Sequence, residues 1–302
     1  MKKTYIKSPL NYTGGKFKLL PQLVEVFPKK IDTFVDLFTG GANVAVNVEA
    51  KNVQAYDING YLIELYTYFS NHTYEKVVSG IESIVAFYGL SDSTKNGYNY
   101  YGCESSKGLG SYNKEKYMKL RDDYNNDTQK FPKELLFFSL IIFGFNNQIR
   151  FNRSGKFNMP VGKRDFNKNI RSNLEKFMNS LHAKNIHFSM KDFRSLDVEK
   201  LKKGDFVYCD PPYLITTATY NEQDGWTEKD EKDLLHLLDT LHKKEVLFAL
   251  SNVMEKGEKK NEILIKWAKK YTIHDLNFHY KNSNYHKKDK KVEEREVLIT
   301  NY

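Results

Sequence analysis

The chain has 302 residues, 40% of them hydrophobic and 14% aromatic, enough for one large α/β domain with an insertion, or for two domains, around a sizeable core. Its formal net charge of +9 and pI of about 9.1 favour a polyanionic partner such as nucleic acid. Two cysteines, Cys103 and Cys209, exclude a disulfide framework and a cysteine-based zinc spacing. The opening Met1-Lys2-Lys3-Thr4 leads into no apolar signal core, and the run Leu135 to Phe145 falls short of the roughly 20 residues of a membrane span, so a cytoplasmic protein with no membrane association is expected.

Asn11-Tyr12-Thr13-Gly14-Gly15-Lys16 is a glycine turn before a lysine. No βα unit precedes it, which argues against a phosphate loop; Tyr12 can cover a purine and Lys16 can pair with a carboxylate, with a plain turn as the competing reading. Thr33 to Phe38 reads as a buried strand that stops at Gly40-Gly41, and Val44 to Ala50 as the following helix. Glycines at such a turn let backbone approach a ligand, and a helix N-terminus favours an anionic group. Gln54 to Asp57 is a second strand, and its terminal acid stands where nucleoside-binding folds place a carboxylate on the ribose hydroxyls.

The middle breaks this rhythm. Ser91 to Asn113 reads as a polar loop rich in Gly, Asn and Tyr, and the apolar run Leu135 to Phe145 follows. Residues 62–175 read as an inserted, mainly helical subdomain carrying one β-hairpin, its turn at Arg153-Ser154-Gly155-Lys156. Around that turn, Asn146, Asn147, Gln148, Arg150, Asn152, Arg153, Lys156, Lys163 and Arg164 form a dense amide and basic set. Asn and Gln pair bidentately with adenine, Arg pairs with guanine, and Lys and Arg neutralise phosphates, so this is the candidate DNA-binding surface; a solvated loop is the alternative. Phe151 and Phe157 are expected to pack the hairpin onto its base.

Strand and helix alternate again towards the end of the chain. Ile186 to Met190 and Phe206 to Cys209 read as strands, and Thr227 to Asp230 as a capping box opening a helix through Leu234, Leu235, Leu238 and Leu241. Val246 to Leu250 is a strand, Asn261 to Lys270 a helix, Lys281 to Lys291 a basic loop and Glu296 to Thr300 a closing strand. The whole predicts a doubly wound α/β sheet. At the end of the second strand of this half stands Asp210-Pro211-Pro212-Tyr213. Asp210 and the Pro211 carbonyl can accept the two hydrogens of a planar amine, proline stiffens the segment without competing donors, and Tyr213 offers a stacking face; a proline turn is the competing reading.

Tyr-Thr-Gly-Gly-Lys at 12–16, Asp-Leu-Phe-Thr-Gly-Gly at 36–41 and Asp-Pro-Pro-Tyr at 210–213, in this order, resemble the Dam-type (alpha group, D12 class) DNA adenine-N6 methyltransferases. The stretch Asn146 to Gly162 resembles the hairpin of that family's target-recognition insert, and Ala218-Thr219-Tyr220-Asn221 and Glu296 to Tyr302 also fit. The resemblance implies a Rossmann-like class I S-adenosylmethionine-dependent methyltransferase sheet, with residues 1–61 and 176–302 catalytic and 62–175 target-recognising. It implies S-adenosylmethionine as cofactor, held by Tyr12, Lys16, Asp36, Phe38, Gly40, Gly41, Asp57, Asp192, Phe193 and Asp210, with Tyr12 in a place often held by tryptophan. Asp210, Pro211, Pro212 and Tyr213 become the catalytic set. Double-stranded DNA is the partner, a cognate restriction endonuclease encoded nearby a further candidate, and a monomer is expected. Gln148 stands where members that read GATC often carry an apolar residue.

Chemically, adenine N6 is a poor nucleophile because its lone pair is delocalised into the ring. Two acceptors on its hydrogens favour a tetrahedral-like nitrogen and stabilise the positive charge that builds there. Holding N6 and the methyl carbon at ~3–3.5 Å in line supplies the other large effect. The base must leave the duplex to be reached, and no metal or covalent intermediate is implied. Methylation of RNA or of a protein glutamine is the nearest alternative, although glutamine methylases resemble Asn-Pro-Pro-Tyr. A catalytically silent DNA-binding regulator is another.

Overall fold

The computed structural model describes residues 4–104, 106–128, 130–216, 225–276 and 293–302. The expected motif at 218–221 and the basic loop at 281–291 lie outside the described residues. In chain order the elements are α1 (Leu20–Val26), β1 (Thr33–Asp36), β2 (Asn52–Asp57), α2 (Gly60–Asn71), α3 (Tyr74–Tyr88), α4 (Ser93–Asn96), α5 (Gly110–Asn125), α6 (Lys133–Phe143) and α7 (Lys168–Ala183). They continue with β3 (Ile186–Met190), β4 (Phe206–Cys209), α8 (Glu228–Lys243), β5 (Leu247–Lys256), β6 (Lys259–Lys260), α9 (Glu262–Ala268), β7 (Thr272–Asp275) and β8 (Glu294–Thr300). The strands run in the order β3-β2-β1-β4-β5-β8-β7, with β6 pairing β5. Pairs β1–β2, β1–β4 and β4–β5 are parallel, whereas β8 runs antiparallel to both β5 and β7.

The chain forms two compact units. The first, here the helical unit, comprises Met1–Gly15, Gly40–Val46 and Asn59–Phe188; the second, the sheet unit, comprises Lys16–Thr39, Asn47–Ile58 and Ser189–Tyr302. Residues 62–175 fall wholly within the helical unit.

The sheet unit owes its order to burial. All four residues of β4 are buried, as expected of a central parallel strand covered on both faces. On one face Val35, Val207, Phe248 and Leu250 meet Leu234, Leu235, Leu238 and Leu241 of α8. These four leucines recur at helical spacing, and the capping box is present as expected: Thr227 accepts from the Asp230 amide while the Asp230 carboxylate accepts from the Thr227 amide. Such a cap stabilises a helix by about 1 kcal/mol. Elsewhere in the unit, Phe27 packs against Phe34, Phe206 and Tyr208.

The helical unit is centred on α6, where every residue from Leu135 to Phe143 is buried. A helix apolar all round belongs inside, and α2, α3 and α5 pack around it. Ser91 to Asn113, read as a loop, instead contains α4 and a buried polar network. Asp165 accepts from the Ser93 amide at 2.6 Å, the Ser93 hydroxyl at 2.8 Å and the Ser91 hydroxyl at 3.2 Å, and Asn113 brackets Ser91.

One expected element is absent. Residues 44–50 form turns and no α-helix. The Val46 carbonyl, which a helix would bond to an amide four residues on, accepts instead from the Ser180 hydroxyl at 2.9 Å and from Lys184 Nζ at 3.0 Å. Asn43 likewise spends its side-chain oxygen on the Ser8 amide, at 3.0 Å. The helix N-terminus expected to favour an anion therefore does not exist here, and of the two features expected at Gly40-Gly41 only the close backbone approach is left. Among the described residues no helix is long and apolar enough to cross a membrane.

Candidate active site

Asp36 closes β1, Asp57 closes β2 and Asp210 follows β4, so three carboxylates stand along one carboxyl edge of three neighbouring parallel strands. Strand order reverses between β1 and β4, the place where open α/β sheets gather their ligands. Asp36 is 2% exposed and Asp57 9%, and the Asp57 carbonyl accepts from the Lys191 amide at 3.0 Å.

Asp210 is the centre of a buried charge cluster. Lys16 Nζ lies 2.8 Å from Asp210 Oδ1 and 3.5 Å from Glu296 Oε1. The Tyr213 hydroxyl reaches the same two oxygens, at 3.0 Å each. Lys16 Nζ also stands 5.1 Å from the centre of the Tyr213 ring. Burial pushes the Asp210 and Glu296 carboxyls above the usual carboxylate range, and Lys16 pulls both back down. Burial, then the Asp210 charge, raises the Tyr213 hydroxyl well above its ordinary range and keeps it a donor. Pro211 is buried and Pro212 exposed, which leaves Asp210 and Tyr213 to hold the loop from either end. Neighbouring Cys209 is fully buried, and burial together with Asp36 and Asp210 raises its thiol, so it is no nucleophile.

Lys16, expected from the sequence to pair with a carboxylate, pairs here with two, Asp210 and Glu296. Sequence reasoning missed Glu296, reading that residue merely as part of the closing strand. The signal was available: a carboxylate directly before Val297, Leu298 and Ile299, each 0% exposed.

Phe38, Phe193 and Trp226 form a triangle with ring centres 5.5, 5.7 and 5.6 Å apart. Asp192 accepts from the Arg194 amide at 2.8 Å, and the Arg194 guanidinium spans Asp192, Asp230 and Asp233. Asp192 and Phe193 are thereby fixed to the start of α8.

In the helical unit, Tyr12 lies against the expected glycines. A Cβ added at Gly40 would stand 2.8 Å from Tyr12 Cε1, and one at Gly41 would stand 3.0 Å from Tyr12 Cβ. Gly40 also has φ 47, and its carbonyl accepts from the Tyr66 hydroxyl at 2.7 Å. The backbone thus approaches an aromatic ring as closely as glycine permits.

The hairpin set sits on a scaffold the sequence did not reveal. Antiparallel bridges Gly144–Val161 and Phe151–Phe157, and an Asn152 amide bond to the Lys156 carbonyl at 2.9 Å, outline the expected hairpin, with bridges in place of regular strands. Asn125 of α5 clasps Phe157, accepting from its amide at 2.8 Å and donating to its carbonyl at 2.9 Å. Tyr117 donates to the Met159 carbonyl at 3.0 Å. Phe157 is 1% exposed against Phe137, Phe151 and Tyr124, as expected of the aromatic base.

On that base the polar residues divide. Asn147 donates to the Ile141 and Ile142 carbonyls at 3.1 and 2.7 Å, so its amide caps the end of α6. Arg150 folds across the hairpin, donating through Nε to Asn158 Oδ1 and through Nη2 to the Asn158 carbonyl, both at 2.8 Å. Asn152 Oδ1 accepts from the Ser154 and Lys156 amides and shapes the turn. Arg153, Lys156, Lys163 and Arg164 are exposed, as is Asn146, whose carbonyl accepts from Asn11 at 2.9 Å, and Gln148 is half-buried. Asn146 and Asn147 have φ 53 and 54, a left-handed pair that asparagine tolerates better than other side chains, and the exposed Phe145 precedes them.

A family model of the D12 class N6 adenine-specific DNA methyltransferases matches residues 12–282. The chain belongs to this family. The chain is 42% identical over 305 residues to the type II methyltransferase M.FokI of Planomicrobium okeanokoites, and 39% identical over 308 residues to the modification methylase StsI of Streptococcus sanguinis. Each match takes in 99% of this chain and 43% of the relative, so the chain spans less than half the length of these proteins. To the DNA adenine methylase of Escherichia coli (strain K12) it is 25% identical over 247 residues, 80% of this chain and 79% of that one. The mainly parallel sheet found here is accordingly the class I methyltransferase sheet that the motifs predict.

Proposed function

We propose that this methyltransferase is a site-specific DNA adenine-N6 methylase, acting on an adenine flipped out of duplex DNA, in a restriction–modification, phage or epigenetic setting. The observation that carries the reading is the Asp210-Pro211-Pro212-Tyr213 loop at the carboxyl end of β4, its acid held in a buried cluster rather than spent on a turn. Relatives named type II methyltransferase and modification methylase support the setting, and a restriction endonuclease encoded nearby would be the partner it implies.

S-adenosylmethionine fits the residues on their own chemistry. The sheet unit offers Asp57 for ribose hydroxyls, Asp36 and Asp210 for the cationic end, and Phe38, Asp192 and Phe193 beside the base; Lys16 steadies Asp210 from behind. For Tyr12, Gly40 and Gly41, which belong to the helical unit, the support is the family's motifs alone. When bound, the cofactor supplies an electrophilic methyl group. Asp210 and the Pro211 carbonyl accept the two N6 hydrogens, orient the nitrogen's lone pair and stabilise the positive charge that develops on it. Tyr213 stacks on the flipped base. Residues 62–175 read the target and residues 1–61 and 176–302 perform the transfer. Tritium transfer from labelled cofactor to DNA, RNA and protein in parallel tests the reading; label in RNA or protein alone would replace it.

Asp210 faces the developing positive charge with a negative one only while ionised. Because burial raises its carboxyl above the ordinary 3.8, it takes up a proton at higher pH than a free aspartate, and the rate is lost as pH falls through that raised value. The acid limb of kcat/KM is therefore expected above pH 3.8, and a limb at or below it would contradict the ionised-acceptor role.

Arg150 offers base contact once it leaves Asn158, and it also holds Asn158 in place. Arg150→Ala is expected to relax sequence preference, with on the order of 1–3 kcal/mol of discrimination lost at one base position. Methylation across a panel of sites measures it, and an unchanged preference removes Arg150 from the readout.

A further inference from the structure

In the sheet unit one buried cation serves two carboxylates. Lys16 Nζ lies 2.8 Å from Asp210 Oδ1 and 3.5 Å from Glu296 Oε1, and the Tyr213 hydroxyl lies 3.0 Å from each of the same two oxygens. The hydroxyl has one proton, so at any instant it donates fully to one carboxylate and leaves the other to the ammonium. The side chains of Lys16, Asp210 and Glu296 are 5%, 17% and 8% exposed, and water screens such charges poorly.

Methyl transfer sets a conflicting demand on Asp210. Its carboxylate must accept an N6 hydrogen and face the positive charge growing on nitrogen, yet an ammonium at 2.8 Å opposes that charge. A second acid drawing on the same ammonium and the same hydroxyl relieves the conflict. Glu296 is placed for this by β8, whose next three residues, Val297, Leu298 and Ile299, are fully buried. A carboxylate beside such a run is costly to bury unless its partners compensate, and these are the partners it shares with Asp210.

We propose that Glu296 is a positioning residue for the transfer: by sharing Lys16 and the Tyr213 hydroxyl with Asp210, it leaves Asp210 its strength as an acceptor and fixes the angle of the Tyr213 ring. The inference rests on the adenine-N6 reading. Glu296 acts through its neighbours and needs no contact with substrate.

Glu296→Gln keeps the shape and removes the charge, while Glu296→Asp keeps the charge. In the full chain, single-turnover transfer of tritiated methyl to unmethylated genomic DNA is expected to slow on the order of tenfold or more in Glu296→Gln. KM for cofactor and DNA should stay within about twofold, and Glu296→Asp should recover most of the rate. Glu296→Gln combined with Tyr213→Phe should lose less than the product of the single losses, since both act through one hydroxyl.

A second readout needs no turnover. The ¹³C resonance of the Asp210 carboxyl, assigned by its absence in Asp210→Asn, is followed against pH. Asp210 faces Lys16 and Tyr213, and its charge acts on Tyr208 of β4 and on Glu296 of β8; Asp36 of β1 acts on the same Tyr208. With the Glu296 charge gone, Asp210 no longer shares Lys16 and the Tyr213 hydroxyl with that acid, so it should titrate at lower pH than in the wild type. A wild-type rate in Glu296→Gln overturns the proposal. So does a slowed rate with an unmoved Asp210 titration and a lowered melting temperature, which would mark Glu296 as structural. If the wild type itself labels no DNA, the adenine reading fails, and the titration still decides whether Glu296 shares the cation.

Discussion

Asp210→Ala is expected to lower methyl transfer by at least about a thousandfold while duplex binding stays within a few-fold of wild type. In the proposed mechanism the carboxylate is one of two acceptors for N6, and its removal takes away the negative charge nearest to the developing positive one. The fold should survive because Lys16 retains Glu296 at 3.5 Å and Tyr213 retains the same partner at 3.0 Å, so no buried cation is stranded. The exposed basic residues proposed to bind DNA lie in the other unit and are untouched. Single-turnover transfer and a mobility-shift titration on the same preparation measure the two effects. Near-normal transfer would remove Asp210 from the chemistry, and lost binding with a normal melting temperature would make it a DNA contact instead.

The second large effect is expected from one methyl group. In Gly162→Ala the added Cβ would meet the Gly144 carbonyl oxygen, and would lie 2.7 Å from its carbon and 3.1 Å from the Phe145 nitrogen. These are backbone atoms, and they cannot turn away. The Gly162 amide donates to the Phe143 carbonyl at 2.7 Å and the Phe145 amide to the Pro160 carbonyl at 2.8 Å, so both strands of the pinch are tied. Relief requires prising the hairpin base apart, at a cost of roughly 2–4 kcal/mol. Melting should fall by several degrees, and binding of duplex DNA should weaken with it because the turn carrying Arg150 to Lys156 is rooted there. An unchanged melting temperature would mean that this close approach relaxes without cost.

Much of the sheet was legible because its signals are local. The four buried residues of β4 stand in sequence as Phe206-Val207-Tyr208-Cys209, and the cap of α8 is written in Thr227 and Asp230. Residues 44–50 misled for the opposite reason. Val44, Ala45, Val46 and Val48 have the apolar density of a buried helix, but the partners of the Val46 carbonyl, Ser180 and Lys184, lie far along the chain. The hairpin follows the same division. Its turn and aromatic base could be read, whereas the Asn125 clasp joins positions 32 apart and leaves no mark on either segment. At the candidate site the tetrapeptide was plain and Glu296 was not, since 83 positions separate it from Tyr213.

The place of β8 has a consequence for how the molecule comes into being. The sheet unit joins distant segments: the Thr33 amide bonds Asp205, 172 positions on. Its antiparallel β8, last of the described elements to leave the ribosome, lies between β5 and β7. Until residues 294–300 are made, the ten-residue β5 has an open edge on that side, and seven of its residues are destined for the interior. Such long-range closure is slow, and an open apolar edge is prone to wrong pairing while it waits. Because β8 also brings Glu296 to Tyr213, the sheet unit acquires this strand and the second acid of the Lys16 cluster in the same event.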